Sequence, residues 1–390
     1  MNILITTIFE YPHEGGLSTH VSTLKKGLEE RNHKVDVLSF TDMNPFARKL
    51  FTQAPGFLMN KVKKGKGQLL NDRQKMKMLK SYIDKVKADY DVINSQDVYA
   101  ALASIESGVT TVATVHGYFS YEAISRGAIM KGSPEDLEIV KTEQQAYKNA
   151  AKVIAVDKRI KEYIKQQSNV GAYTIKNFIN VNEFQVDKSK AAHVKAEFNI
   201  PDDVKILFVP RRLTEKNGVV YPTLALPKVL GKHPHTLLIY AGTGEQYSAI
   251  EQKTMELQLQ ENVKLLGSIP HEKMKDLYSI ADIVLVPSIH SHGVEEATSI
   301  SALEAMGSGA PVIAGAVGGL KEIFEHEKDG LLVQEKNTDA LSNSIIRILD
   351  DPLFGNRLAE NARTKVENNY SHLSAAEKYE KVYREALELR

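Results

Sequence analysis

A chain of 390 residues is too long for one ordinary core and implies two domains. Its 50 basic and 49 acidic residues leave a net charge of +1, so no global field points to a nucleic-acid partner. The absence of cysteine excludes disulfides, thiolate metal sites and cysteine nucleophiles, and fits a reducing compartment.

The start MNILITTIFEYPHEGG carries no basic leader, and residues 2–8 read as a buried strand. Thr19 to Arg31 places Val21, Leu24 and Leu28 at helical spacing, and Lys34 to Phe40 is the next strand. Strand, Gly-containing loop, helix and strand make a βαβ unit, which implies a parallel sheet. Further strands are predicted at 91–97, 110–118 and 152–157. The series then restarts at 204–213, 235–244, 263–270, 281–288 and 310–315.

Two consecutive α/β series predict two doubly wound domains facing across a deep cleft, with a ligand at the carboxyl ends of the strands. The break is placed in the Asn-rich stretch 177–190, giving domains 1–181 and 182–372. The tail 373–390 reads as one helix crossing back to the N-terminal domain, with Tyr379, Val382, Leu387 and Leu389 available for packing. No segment reaches the roughly 18 to 20 apolar residues of a membrane span, so the expected location is the cytoplasm, free or at the inner face of the membrane.

The stretch HGVEEATSISALEAMGSGAPVIAG places Glu296 and Glu304 eight positions apart. Glycoside hydrolysis needs two carboxylates about 5 to 9.5 Å apart on one bond. With Ser299 as N-cap of a helix, eight positions span roughly 12 Å, which suits two contacts at opposite ends of an elongated ligand. The helix N-terminus between them favours an anionic group. Hydroxyls at two ends and a phosphate near the middle describe a nucleotide sugar.

These residues resemble the signature of the retaining GT-B glycosyltransferases of family 4. The resemblance runs nearly the whole chain, through Gly15-Gly16, Val115-His116-Gly117, Asn177-Phe-Ile-Asn180, Arg212-Leu-Thr-Glu-Lys216-Asn-Gly218 and Ala241-Gly-Thr-Gly244. It implies that Glu296 accepts hydrogen bonds from the transferred sugar and that Glu304 binds the ribose. Arg212 and Lys216 would clamp the diphosphate, with Arg212 preferred to Arg211 because Leu213 follows it. Gly15 and Gly16 would let backbone approach the ligand, and the amides of Ala297, Thr298 and Ser299 would reach sugar or phosphate. Thr298 and Ser299 replace a commoner Phe-Gly and bear on donor preference. His116 would contact the sugar or the acceptor hydroxyl. Asn180, where the family often has aspartate, is given only a junction role.

The implied activity is retaining, metal-independent transfer of a hexosyl group from a UDP-sugar, with a GDP-sugar next, to a sugar, a small molecule, or a lipid-linked or cell-envelope hydroxyl. No cofactor is implied. His233, His235, His290 and His292 are read as loop histidines, since no carboxylates stand at ligand spacing. The sequence nominates no carboxylate nucleophile, so substitution at the front face is expected. The stretch Lys61 to Lys80 holds eight basic residues and one acid, with Phe51, Phe57, Leu58, Met59, Leu69, Leu70, Met76 and Leu79 interleaved around it. It reads either as a contact with anionic lipid or as a solvated helical face. A nucleotide-sugar 2-epimerase of the same architecture and a non-catalytic nucleotide-sugar-binding subunit are the other classes. A nicotinamide dehydrogenase would need Gly-x-Gly-x-x-Gly after the first strand, which Glu14-Gly-Gly-Leu lacks.

Overall fold

The computed structural model describes residues 1–13, 16–53, 66–125, 128–184, 188–291 and 299–389. The chain forms two compact units, Met1–Asn177 with His372–Arg390, and Phe178–Ser371.

The first unit is built on a six-stranded parallel sheet of β1 (Asn2–Thr6), β2 (Lys34–Leu38), β3 (Val92–Ser95), β4 (Thr111–Val115), β5 (Lys152–Ala155) and β6 (Tyr173–Thr174). Its order is β2-β1-β3-β4-β5-β6, so the direction of winding reverses between β1 and β3. β3 and β4 are buried along their whole length, as strands covered on both faces must be. Helix Gly16–Glu30 lays Val21, Leu24 and Leu28 against this core, and it starts three residues before the predicted stripe. Two aspartates punctuate the unit. Asp97 caps helix Val98–Glu106 by accepting from Ala100 N–H, and Asp157 caps helix Lys158–Ser168 in the same way.

The C-terminal helix His372–Leu387 belongs to this unit. It buries Tyr379, Val382 and Tyr383, and Tyr173 donates to its Glu385. Leu389 is exposed instead, beyond the end of the helix.

The second unit has six parallel strands as well: β7 (Lys205–Pro210), β8 (Thr236–Ala241), β9 (Val263–Leu265), β10 (Ile283–Val286), β11 (Val312–Gly315) and β12 (Leu331–Val333). Read as β9-β8-β7-β10-β11-β12, the order is that of the dinucleotide-binding fold, with its switch point between β7 and β10. The unit begins at Phe178, four residues before the predicted boundary. Ile179 N–H donates to Tyr370 O at 2.9 Å, and Ile179, Val181 and Phe184 are buried in a core with Phe208, Tyr278 and Met306. Ile179, Val181 and Phe184 are therefore drawn into the second core.

Candidate functional site

In the second unit, three segments meet at the switch point. Residues 211–218 leave the end of β7, residues 241–246 leave β8, and residues 287–291 leave β10. Leu213 N–H donates to Thr243 O at 2.8 Å, Gln246 N–H to Leu213 O at 2.8 Å, and Ile289 N–H to Lys216 O at 2.9 Å. Two glycines make this approach possible. A Cβ on Gly242 (φ 148°) would run into Arg211 O, and one on Gly218 (φ 62°) into Pro287 O.

Arg211 and Arg212 part ways here. Arg211 is 7% exposed, and its guanidinium donates to Ser288 Oγ at 2.6 Å and to Asn217 Oδ1 at 2.9 Å, tying the loops after β7 and β10 together. Arg212 is exposed and Lys216 half-buried, and neither forms an ion pair among the described residues. Two cations that form no ion pair among the described residues thus stand at the switch point, with the carboxylates of Glu245 and Glu335 close by, accepting from Glu215 N–H and His290 N–H.

Ser299 caps helix Ile300–Gly307 by accepting from Ala302 N–H. The helix begins at Ile300, so the helical rise applies only from there to Glu304. Glu296, Ala297 and Thr298 lie outside the described residues, as do Gly15 and His292. Glu304 is buried, and both of its oxygens are engaged. His271 Nε2 lies 3.0 Å from Oε1, and Tyr278 hydroxyl donates to Oε2 at 3.1 Å. The hydrogen bond to Glu304 raises the His271 pKa, and burial followed by the charge of Glu304 lifts the Tyr278 phenol well above its ordinary value. Each carboxylate oxygen keeps a second lone pair for a further donor.

In the first unit, polar side chains gather at the carboxyl ends of β3 and β4. His116 Nε2 lies 2.8 Å from Gln96 Oε1, and Gln96 donates to Asn94 Oδ1 at 2.5 Å. The ring of His20 meets His116 edge-on with centroids 4.6 Å apart. His20 Nδ1 is 3.0 Å from Asn177 Oδ1, and Nε2 is 3.2 Å from the hydroxyl of Tyr379 in the C-terminal helix. Burial pulls the His20 pKa down to about 4 and that of His116 well below the ordinary imidazole value, so both rings are neutral near pH 7.

Below the loop after β4, Glu143 is fully buried. It accepts from Tyr163 hydroxyl at 2.8 Å and from Phe119 N–H at 3.0 Å, and burial raises its pKa to about 7. A cavity of about 300 Å³ near the end of β1 is lined by Phe9, Glu10, His13, Phe40, Asn71 and Lys75. Gly16 is the exposed first residue of helix Gly16–Glu30. Asn180 donates to Glu183 within the turn that opens the second unit.

The sequence reading did not name His20, Asn94, Gln96, His271 or Tyr278. His271 and Tyr278 lie two turns apart on one helix, a spacing that hints at a shared face, but their partner Glu304 is 33 positions from His271 in sequence. Among the other histidines, His233 pairs with Asp350 at 2.9 Å, and no group of three metal-ligating side chains occurs among the described residues.

Residues 14–183 match the family model described as Glycosyltransferase Family 4, and residues 191–365 the one described as Glycosyl transferases group 1. The chain is 29% identical to an uncharacterized glycosyltransferase of Methanocaldococcus jannaschii, over 100% of this chain and 99% of that protein. Among solved structures it is similar to sucrose-phosphate synthase from Thermosynechococcus elongatus, with a TM-score of 0.77, 22% identity and 100% of both chains covered. It is also similar to Anabaena HepE in complex with UDP, with a TM-score of 0.71 and 20% identity over 98% of this chain and 99% of that one.

Proposed function

We propose that this chain, which belongs to the family 4 glycosyltransferases and has their GT-B fold, moves a sugar from a nucleotide diphosphate sugar to a hydroxyl acceptor with retention of configuration and without a metal. The donor we favour is a UDP-sugar, then a GDP-sugar; the presence of UDP in the HepE complex supports that order. The observation that carries the reading is the pair of exposed Arg212 and half-buried Lys216, neither of them in an ion pair among the described residues, on loops that close glycine contacts hold at the switch point.

In this reading the diphosphate lies against Arg212 and Lys216, which stabilise the charge that grows on the leaving nucleotide. The N-terminus of the helix capped by Ser299 and the amides of Ala297 and Thr298 add dipoles of the same sign. Glu304, positioned by His271 and Tyr278, receives the ribose. Glu296 binds the sugar hydroxyls, Gly15 and Gly16 bring backbone to the ligand, and His116 takes a hydroxyl of sugar or acceptor. The leaving phosphate oxygen removes the proton of the acceptor hydroxyl as the new glycosidic bond forms on the face where the old one breaks. A trapped glycosyl-enzyme adduct would overturn this step.

Thermal unfolding with UDP, GDP and ADP, with and without EDTA, tests the donor class. A ligand at 100 times its Kd adds about 2.7 kcal/mol. The expected result is a shift for UDP that survives EDTA and is lost in Arg212→Ala. A shift that EDTA abolishes would sink the metal-free reading, and no shift together with no turnover would sink the whole assignment. Product analysis separates transfer from 2-epimerisation, which would release a rearranged nucleotide sugar without an acceptor, and from a binding subunit, which would turn over nothing.

We further propose peripheral contact with anionic lipid at the inner membrane face, in a cytoplasmic protein whose acceptor is lipid-linked or part of the cell envelope. No helix among the described residues is long and apolar enough to cross a membrane. Within the basic stretch, Leu69 and Leu79 are buried, and Phe57, Leu58 and Met59 lie outside the described residues. The apolar side chains offered to lipid are the exposed Phe51, named with the stretch, and Phe46 and Leu50 ahead of it. Failure to float with anionic vesicles at low salt would remove this proposal.

A further inference from the structure

We propose that Gln96 is a positioning residue for His116: through Asn94 it sets the imidazole in its Nε2–H form and so presents an Nδ1 lone pair that accepts a hydroxyl hydrogen. The inference rests on the reading of His116 as part of the substrate site.

The hydrogen-bond chain starts at a group whose role is fixed. Val112 O is a main-chain carbonyl and can only accept, so the Asn94 atom 3.1 Å from it is the amide nitrogen. The same nitrogen lies 2.9 Å from Thr114 Oγ1. The Asn94 oxygen therefore points at Gln96, 2.5 Å away, where only an amide N–H satisfies it. The Gln96 oxygen is thereby turned toward His116 Nε2 at 2.8 Å, and that ring nitrogen must carry the hydrogen. Asn94 and Gln96 are 0% and 2% exposed, so water does not compete for these bonds; reversing Asn94 would set its oxygen against Val112 O, and reversing Gln96 would set its oxygen against Asn94 Oδ1, a buried acceptor facing an acceptor in each case.

The other ring nitrogen is left for a ligand. His116 Nδ1 has no hydrogen-bond partner among the described residues, and the residue is half-buried rather than sealed in the core. His20 supports the ring edge-on. The arrangement suits a His20 that donates from Nδ1 to Asn177 and accepts the Tyr379 hydroxyl hydrogen at Nε2. A neutral His116 with this single lone pair attracts the hydrogen of a sugar or acceptor hydroxyl and repels a phosphate oxygen. The diphosphate is thereby left to the cations of the second unit.

The test is long-range ¹H–¹⁵N NMR on histidine-labelled protein, with His116 assigned by the loss of its signals in His116→Asn. The Nε2–H form is expected in the parent, and Gln96→Met should shift population to the Nδ1–H form. Gln96→Glu should keep Nε2–H and raise the titration midpoint of His116, because a carboxylate stabilises the imidazolium. In turnover, Gln96→Met should lower kcat/KM about 3- to 10-fold, the value of one hydrogen bond, while the UDP-induced thermal shift stays unchanged. Gln96→Glu should recover activity at a pH above the raised midpoint. An Nδ1–H ring in the parent, or a ring unchanged by Gln96→Met, would overturn the proposal; if Gln96→Met does not fold, an unshifted midpoint in Gln96→Glu does so. If the NMR results are as expected but His116→Asn leaves turnover intact, the relay stands and the placement of His116 in the substrate site falls.

Discussion

The two units present their strand ends in different ways. In the first, the ends of β3 and β4 carry buried side chains locked into hydrogen bonds, with His20 and His116 kept neutral by burial. In the second, the ends of β7 and β10 carry glycine-backed loops, with Arg212 and Lys216 reaching outward. A preset network of neutral donors and acceptors discriminates by direction and suits hydroxyls. Cations on close-packed backbone discriminate by charge and suit phosphate. The same parallel-sheet physics thus supports two recognition chemistries.

The largest effect that would sharpen this contrast is on stability. Gly218→Ala adds a Cβ where Pro287 O already stands, at a positive φ, and should cost about 3 kcal/mol or more, read as a lower denaturant midpoint. Gly108→Ala, at φ 80° with nothing within 4 Å, should cost only the left-handed backbone penalty of about 1 to 2 kcal/mol. Equal losses would show that the loops of the second unit are less tightly packed than described.

Next is pH. His20 titrates near 6.5 when unfolded and at about 4 when folded, so the unfolded chain takes up the proton first as pH falls. Its contribution is intact above 6.5 and is lost between 6.5 and 4, about 3 kcal/mol in all. Glu143 has the opposite sign. Its folded pKa is raised from 4.5 to about 7, so its contribution is full below 4.5 and is lost as pH rises through 7, again about 3 kcal/mol. Unfolding curves across this range should show a weaker acid-side fall in His20→Gln and a weaker alkaline-side fall in Glu143→Gln. A parent-like profile in both variants would mean that the first unit does not hold these groups neutral.

A smaller effect concerns binding. Lys216→Ala should weaken UDP about 10- to 100-fold, the value of one charged contact, with the unliganded midpoint unchanged because Lys216 forms no ion pair among the described residues. Glu304→Gln should weaken UDP about 3- to 10-fold, as one hydrogen bond is weakened. Titration calorimetry measures both. A Lys216→Ala variant that binds as the parent does would remove the charge half of the comparison.

Ten of the twelve strands among the described residues were legible, because apolar runs recurring between helical stretches imply parallel strands buried on both faces. β6, with two residues, is too short to show a pattern, and β12, as short as the legible β9, was not read from its Leu331-Leu332-Val333. The candidate site was legible where it has its own local grammar. Arg212 follows the run KILFVP, and His116 follows TVATV. The choice between Arg211 and Arg212 was made in the sequence on resemblance alone, and the structure adds that Arg211 is consumed by Ser288 and Asn217.

The sequence by itself determined the class of the fold and the order of its elements, and it nominated the candidate positions for chemistry, since all three depend on short-range periodicity and on motifs of a few residues. Tertiary structure decided which of these residues face one another. It drew Ile179, Val181 and Phe184 into the second core, returned the C-terminal helix so that Tyr379 reaches His20, and set Glu304 between His271 and Tyr278. Burial then held His20 and His116 neutral and raised the pKa of Glu143, because the free energy of a charge depends on the solvent and partners around it, and those are set by residues far away in the chain.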